Sequence, residues 1–242
     1  MKTLIRKLLK EQEEILTLPP FHYFDNDWNL VLELSEGKPF KILGDVNLSN
    51  NQEITTLGNC YAVGGNLYLF GCKNIQSLGN LTEVGGDLNL RYCTNLESLG
   101  NLTKVGGDLD LRKTNIQSLG ILTEVGGVLS LYYCKNLESL GNLTEVGDSL
   151  DLENCTNFQS LGNLTEVGGW LNLYDCKNLQ SLGNLTKVGG WLNLKNCANL
   201  ESLGNLTEVG DDLDLRNTQI VQTMTEDEIR QQVNVGNDIY IK

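Results

Sequence analysis

A unit of 21 residues is copied along most of the chain, and this limits the possible folds more than any other feature. Residues 88–108 read LNLRYCTNLESLGNLTKVGGD, and near-copies begin at Leu67, Leu88, Leu109, Leu129, Leu150, Leu171, Leu192 and Leu213, with a degenerate copy at Val46. Every step is 21 residues except the 20 between Leu109 and Leu129. A fixed period of this size predicts a solenoid, in which each coil can bury its apolar face only against its neighbours.

Within one copy the apolar positions are Leu88, Leu90, Cys93, Leu96, Leu99, Leu102 and Val105, and the next copy restarts at Leu109. Those steps fit neither a helix of period 3.6 nor one long strand of period 2. A coil that bends repeatedly and points a side chain inward at each bend does fit. Leu88 and Leu90 mark one clear strand, with Asp87, Asn89 and Arg91 outward. Gly106 and Gly107 form the corner before it, where the backbone needs positive φ or close approach.

The flanks read as caps. Residues 3–17 place Leu4, Ile5, Leu8, Leu9, Ile15 and Leu16 near one face, predicting an amphipathic helix that Pro19 and Pro20 end. Leu30, Leu32 and Leu34 alternate after it. Residues 1–41 are therefore expected to cap the first coil, residues 42–222 to form the solenoid, and residues 223–242 to close it. In the last segment Thr225 and Glu228 form a capping box, Ile229 and Val233 share a face, Gly236 is a helix stop, and residues 239–241 add a strand.

Two copies, residues 109–116 (LDLRKTNI) and 213–220 (LDLRNTQI), match the leucine-rich-repeat core L-x-L-x-x-[NT]-x-[LI], and longer copies such as LNLRYCTNL insert one residue after the cysteine. The accompanying N-L-T-E-V-G-G-x-L resembles the repeat of receptor L-domains, and more closely the short VGG-type repeats of bacterial and bacteriophage proteins. The resemblance covers about three-quarters of the chain. It implies a mainly β, right-handed, leucine-rich-repeat-like solenoid of about nine coils, with a helical N-terminal cap and a helix/strand C-terminal cap. It implies no activity, because such scaffolds host many binding functions. A 21-residue coil leaves little room for a helix on the convex side.

Six of the seven cysteines (Cys72, Cys93, Cys134, Cys155, Cys176 and Cys197) share one repeat position. Stacking would bring them about 4.8 Å apart, which makes a disulfide or metal ladder conceivable. Thr114, Thr218 and Asn51 take the equivalent place, so a small, partly polar side chain turned toward the corner backbone is the better reading. Asn80, Asn101, Asn142, Asn163, Asn184 and Asn205 each begin Asn-Leu-Thr, a glycosylation acceptor only in an exported protein. Asn74 and its equivalents form another column, read as stacked amides. Residues 1–18 interrupt their apolar residues with Lys and Glu, unlike a secretory leader, so a cytoplasmic location is expected.

Chemistry is thinly represented. His22 is the one histidine, no serine or cysteine sits in a nucleophile elbow, and no glycine-rich loop opens a helix to cradle phosphate. No enzyme activity, cofactor or metal is expected. What varies between copies is a strip on and just after the short strand, and the residues singled out there are Tyr68, Phe70, Tyr92, Asp108, Asp110, Tyr132, Tyr133, Asp151, Glu153, Trp170, Tyr174, Trp191, Asp212 and Asp214. Eight of the chain's 16 aromatic residues stand in that strip. A constant frame with one variable, aromatic-rich strip predicts a protein-binding surface; the competing reading is that Trp170 and Trp191 only cover the sheet.

Charge narrows the expected partner. The chain carries a formal −13, and residues 42–242 hold 12 basic and 24 acidic residues. Without a basic stripe, direct nucleic-acid binding is not expected, and no span suggests a membrane. The complement is a protein with a basic surface. The most concrete expectation is an acidic inhibitor, of the phage anti-defence type, acting on a basic nucleic-acid-handling host protein. The alternative is an exported L-domain-like adhesion or ligand-binding module.

Overall fold

The computed structural model describes residues 15–242. It is a mainly β, right-handed parallel solenoid of about nine coils. Two sheets run its length: a ten-stranded sheet made by the Leu-x-Leu strands, such as Leu88–Asn89, and an eleven-stranded sheet made by the two residues before the glycine corner, such as Lys104–Val105. The second sheet is absent from the sequence reading, because a strand of two residues offers a single in-out alternation. Isolated bridges between serines, Ser118 to Ser139 to Ser160, link a third side.

Register is strict. On the ten-stranded sheet each coil donates to the next, Leu88 N–H to the Asp108 carbonyl and Leu90 N–H to the Asp110 carbonyl, both at 2.8 Å. On the eleven-stranded sheet donation runs backward, Gly106 N–H to the Val84 carbonyl at 2.8 Å. Inward leucines, valines and cysteines stack in columns and are almost completely buried. Each seven-position set of one coil therefore covers that of the coil before it, which is why a single coil could not stand alone.

The two glycine positions work differently. At the corner, a Cβ on Gly106 would lie 2.2 Å from the Gly85 carbonyl oxygen, and one on Gly189 would lie 2.0 Å from that of Gly168, so close approach rather than positive φ excludes a side chain. Positive φ belongs to the Leu-Gly-Asn turn, as at Gly100 (φ 60).

At the N-terminus, the predicted helix over 3–17 lies mostly outside the described residues, and its visible end is not helical. Leu16–Leu18 is a strand paired in parallel with Phe40–Ile42, which puts Leu16 and Leu18 into the first rung of the eleven-stranded sheet. The alternating Leu30, Leu32, Leu34 segment is instead helix α1, Trp28–Ser35. Asp27 caps it by accepting from Asn29 N–H (2.9 Å) and Leu30 N–H (3.3 Å), and Trp28, Val31 and Leu34 face inward. Trp28 packs between Phe21 and Phe40 to seal the end of the rod.

At the other end, helix α2, Glu226–Gln232, has the full Thr225/Glu228 capping box. Gly236 is not its stop. Asn234–Val235 and Ile239–Tyr240 extend the two sheets by one rung, and Gly236 occupies the corner place, donating to the Val209 carbonyl at 2.9 Å.

Candidate binding face

Ten aligned strands give one flat face on which each coil presents four outward positions: the residue before the first leucine, the residue between the leucines, and the two residues after the second. The first two positions belong largely to the frame. Before the leucine, a side-chain oxygen accepts the N–H of the equivalent residue one coil on: Asp45 from Asn66 (2.8 Å), Asn66 from Asp87 (2.7 Å), Asp87 from Asp108 (2.9 Å), Asp108 from Val128 (2.8 Å) and Asp212 from Asp238 (3.0 Å). Between the leucines, the side chain closes an Asx turn, as Asn89 accepts from Arg91 N–H, Asp110 from Arg112, Asp151 from Glu153 and Asp214 from Arg216, each at 3.1 Å.

Five of the acids singled out from sequence (Asp108, Asp110, Asp151, Asp212 and Asp214) are thus engaged by backbone. Asp214 is buried as well. It is 4% exposed, because the Arg216 guanidinium lies across it, with Nε 2.9 Å from Oδ1. Arg112 holds Asp110 the same way at 2.8 Å. Glu153 accepts from Asn172 Nδ2 (3.0 Å) and Asn154 Nδ2 (3.1 Å). Burial first, and then the neighbouring Glu153 charge, push the Asp151 carboxyl above its usual range even though the Glu153 N–H pulls it back.

The aromatic members of the strip have no such frame duty, and several displace a residue that does. Tyr68 stands where other coils place the turn-closing Asx. Trp170 and Trp191 stand where the ladder needs a side-chain acceptor, and the Trp191 and Asp212 N–H groups accordingly lack the bond that Trp170 N–H makes to Ser149 Oγ at 3.2 Å. The residue two places after the second leucine has φ near +60 in every coil. Gly71, Asn50, Asn154, Asp175, Asn196 and Asn217 suit that conformation, but Tyr92 (φ 63), Lys113 (φ 60) and Tyr133 (φ 64) do not. Such a residue costs about 1–2 kcal/mol relative to glycine. At these positions the side chain does not serve the frame as its equivalents do.

Exposure agrees with that assignment. Trp170 is 37% and Tyr133 40% exposed, while Tyr68, Phe70, Tyr92, Tyr132, Tyr174 and Trp191 are half-buried against neighbouring coils. Phe70 meets the Tyr92 ring edge to face at 5.8 Å, and Tyr132 and Tyr133 pack at 5.7 Å. Arg91 Nη2 and Lys113 Nζ both donate to the Tyr92 phenol oxygen, at 3.3 and 3.4 Å, and this holds the phenol below its ordinary ionisation range, the Arg91 bond contributing most.

The opposite sheet carries the outward column Glu83, Lys104, Glu124, Glu145, Glu166, Lys187 and Glu208 in register. Lys104 pairs with Glu124 (2.9 Å), and Lys187 lies between Glu166 (3.8 Å) and Glu208 (3.7 Å). These exposed pairs are worth little individually. Next to them runs a ladder the sequence reading missed: Thr82, Thr103, Thr123, Thr144, Thr165, Thr186 and Thr207 each donate Oγ1 to the carbonyl one coil back, at 2.9–3.1 Å. The expected asparagine amide ladder is realised only in part, at Asn74 (2.7 Å to the Gln52 carbonyl) and Asn115 (2.6 Å to the Thr94 carbonyl).

All seven cysteines are unpaired and buried. Each Sγ has a carbonyl partner, for example Cys93 with Leu69 at 3.1 Å and Cys197 with Leu173 at 3.0 Å. Thr114 donates to the Leu111 carbonyl at 2.8 Å, which explains the Cys/Thr exchange. Among the described residues no group of three or more His, Cys, Asp or Glu could hold a metal, and no helix is long and apolar enough to cross a membrane. The inward columns form one continuous apolar core, and the residues that vary between coils lie on the outer face of the ten-stranded sheet. Comparison with family models, with curated proteins and with solved structures finds no match to this chain.

Proposed function

We propose that this protein is a non-enzymatic scaffold that captures another protein on the outer face of its ten-stranded sheet. The observation that carries the reading is the displacement of frame residues by large aromatic ones at Tyr68, Trp170 and Trp191, since tryptophan and tyrosine make the energetic anchors of interfaces. The partner we propose is a protein with a basic surface, drawn in by the −13 charge, and the specific version is a cytoplasmic inhibitor of a nucleic-acid-handling protein, of the anti-defence type.

The exported adhesion reading keeps one supporting observation: the asparagines of the six Asn-Leu-Thr triplets are all exposed. Intact-mass analysis under non-reducing conditions separates the two, because glycans or disulfides on the native protein would favour export.

The binding face is tested by Trp170→Asn with Trp191→Asn. Asn66 shows that asparagine at this position supplies the acceptor the ladder lacks. The double variant is therefore expected to melt within about 1 kcal/mol of the parent or above it, one added hydrogen bond per site being worth that much, while capture of the partner falls at least tenfold. A variant that unfolds, or that binds unchanged, would show the tryptophans to be structural. Capture that survives molar salt undiminished would contradict an electrostatically drawn partner.

A further inference from the structure

Within an acidic rod, the coils that start at Leu88, Leu109 and Leu129 hold an island of the opposite sign. Its members are Arg91, Tyr92, Lys113, Tyr133 and Lys135, with Phe70 at the edge. Two cations converge on the Tyr92 phenol oxygen, with Arg91 Cζ 4.9 Å and Lys113 Nζ 5.2 Å from the centre of that ring, and Lys135 Nζ lies 4.3 Å from the centre of Tyr133.

Arg91, Lys113 and Lys135 have no carboxylate within ion-pairing distance among the described residues, although acids outnumber bases 31 to 18 in the chain. At the equivalent positions Arg112 and Arg216 are each held by the aspartate two residues before, whereas Arg91 and Lys195 have a neutral asparagine there, and of these only Arg91 has a buried Nε that lacks a hydrogen-bond partner. The same three coils carry the three bulky residues that take left-handed backbone at the turn after the second leucine, Tyr92, Lys113 and Tyr133. Unpaired charge and unfavourable backbone coincide where neither serves the frame.

We propose that this island is a subsite for a carboxylate-bearing segment of the partner protein, and that it fixes where along the uniform rod the partner sits. The inference rests on the proposed use of this face for protein binding. Size chooses the occupant. Three coils span about 10 Å at a spacing of about 4.8 Å, room for two successive same-face side chains of an extended peptide, about 6.7 Å apart. A nucleic-acid strand running along the rod would pass beyond the island and bring its phosphates against Asp151 and Glu153 of the next coil. A rod of near-identical rungs offers a partner many equivalent registers. One cationic island among acids makes all but one of them unfavourable.

The test uses the full chain and three labelled probes, hexaglutamate, hexalysine and a twelve-residue oligothymidylate, read by fluorescence anisotropy at low ionic strength. Hexaglutamate is expected to bind, and Arg91→Gln with Lys113→Asn to weaken it at least tenfold; asparagine is already the residue at this turn in four other coils, so folding is retained. Lys187→Gln, on the eleven-stranded sheet, is expected to leave hexaglutamate unaffected. Failure of the parent chain to bind hexaglutamate, equal binding by the Arg91/Lys113 variant, or tighter binding of the oligothymidylate would each overturn the subsite. Hexalysine reports separately on the basic-partner reading: its failure to bind would count against that reading alone.

Discussion

At single positions, neighbouring residues of the same type prove to do different work, and the chain's internal copies supply the controls. Gly189 and Gly190 are adjacent, yet a Cβ on the first would sit 2.0 Å from a backbone oxygen, and one on the second would sit 3.2 Å from its nearest atoms. Asp148 and Asp211 already occupy the second glycine's place. Gly189→Ala is therefore expected to cost about 3 kcal/mol, the upper end for an overpacked site, and Gly190→Ala far less, by urea denaturation. Asp151 offers a pH test. Its folded-state carboxyl is raised, so the native protein holds the proton more tightly than the unfolded chain, and stability falls as pH rises from the ordinary carboxylate range through the raised value. Asp151→Asn, the residue found at this position as Asn89 and Asn172, is expected to remove that part of the fall when melting is followed from pH 3 to 7. The acids illustrate what sequence could not disclose. Asp110 and Asp214 alternate with inward leucines as a solvated strand face does, and only the folded coil brings up the backbone N–H and arginine that engage each one.

At the scale of the element, the coil is set by its inward column. Period and spacing alone were enough to name Leu88, Leu90, Cys93, Leu96, Leu99, Leu102 and Val105 as core, because a residue repeated every 21 positions must meet its own copy. Leu150→Ala or Leu171→Ala is expected to lower unfolding free energy by about 2–5 kcal/mol, measured by chemical denaturation. The cysteine column belongs to the same interior. Burial pushes the thiols of Cys60, Cys93 and Cys197 up to about 12. Stability that depends on the protonated thiols is complete below the ordinary thiol value and lost as pH climbs from there toward 12. At pH 8 a thiol reagent is expected to label none of the seven cysteines in the native protein and all of them in denaturant; fast native labelling would contradict the packing. Elements without a copy were harder to read. Leu30, Leu32 and Leu34 suggest a strand, but the Asp27 cap and the Trp28, Val31, Leu34 spacing decide for helix α1. The Glu/Lys-Val strands are not legible in the sequence, because two residues carry too little pattern to distinguish strand from bend.

Over the whole molecule, scaffold residues and variable residues occupy different positions. Inward columns, the threonine ladder and the Asx ladder build the scaffold, and the aromatic and cationic side chains left over gather on one face. The aromatic half of that face was legible because residues that vary against a constant frame stand out in the repeats. Its departures from the frame were not, since the ladder that Trp170 and Trp191 interrupt exists only in three dimensions. The most direct measurement is ¹⁹F NMR of the 5-fluorotryptophan-labelled chain titrated with its captured, unlabelled protein partner. Three resonances are expected, from buried Trp28 at the N-terminal end and from Trp170 and Trp191 on the sheet. The signals of Trp170 and Trp191 should shift on binding while that of Trp28 stays in place; a complex that forms with both sheet tryptophans unmoved would contradict the binding face.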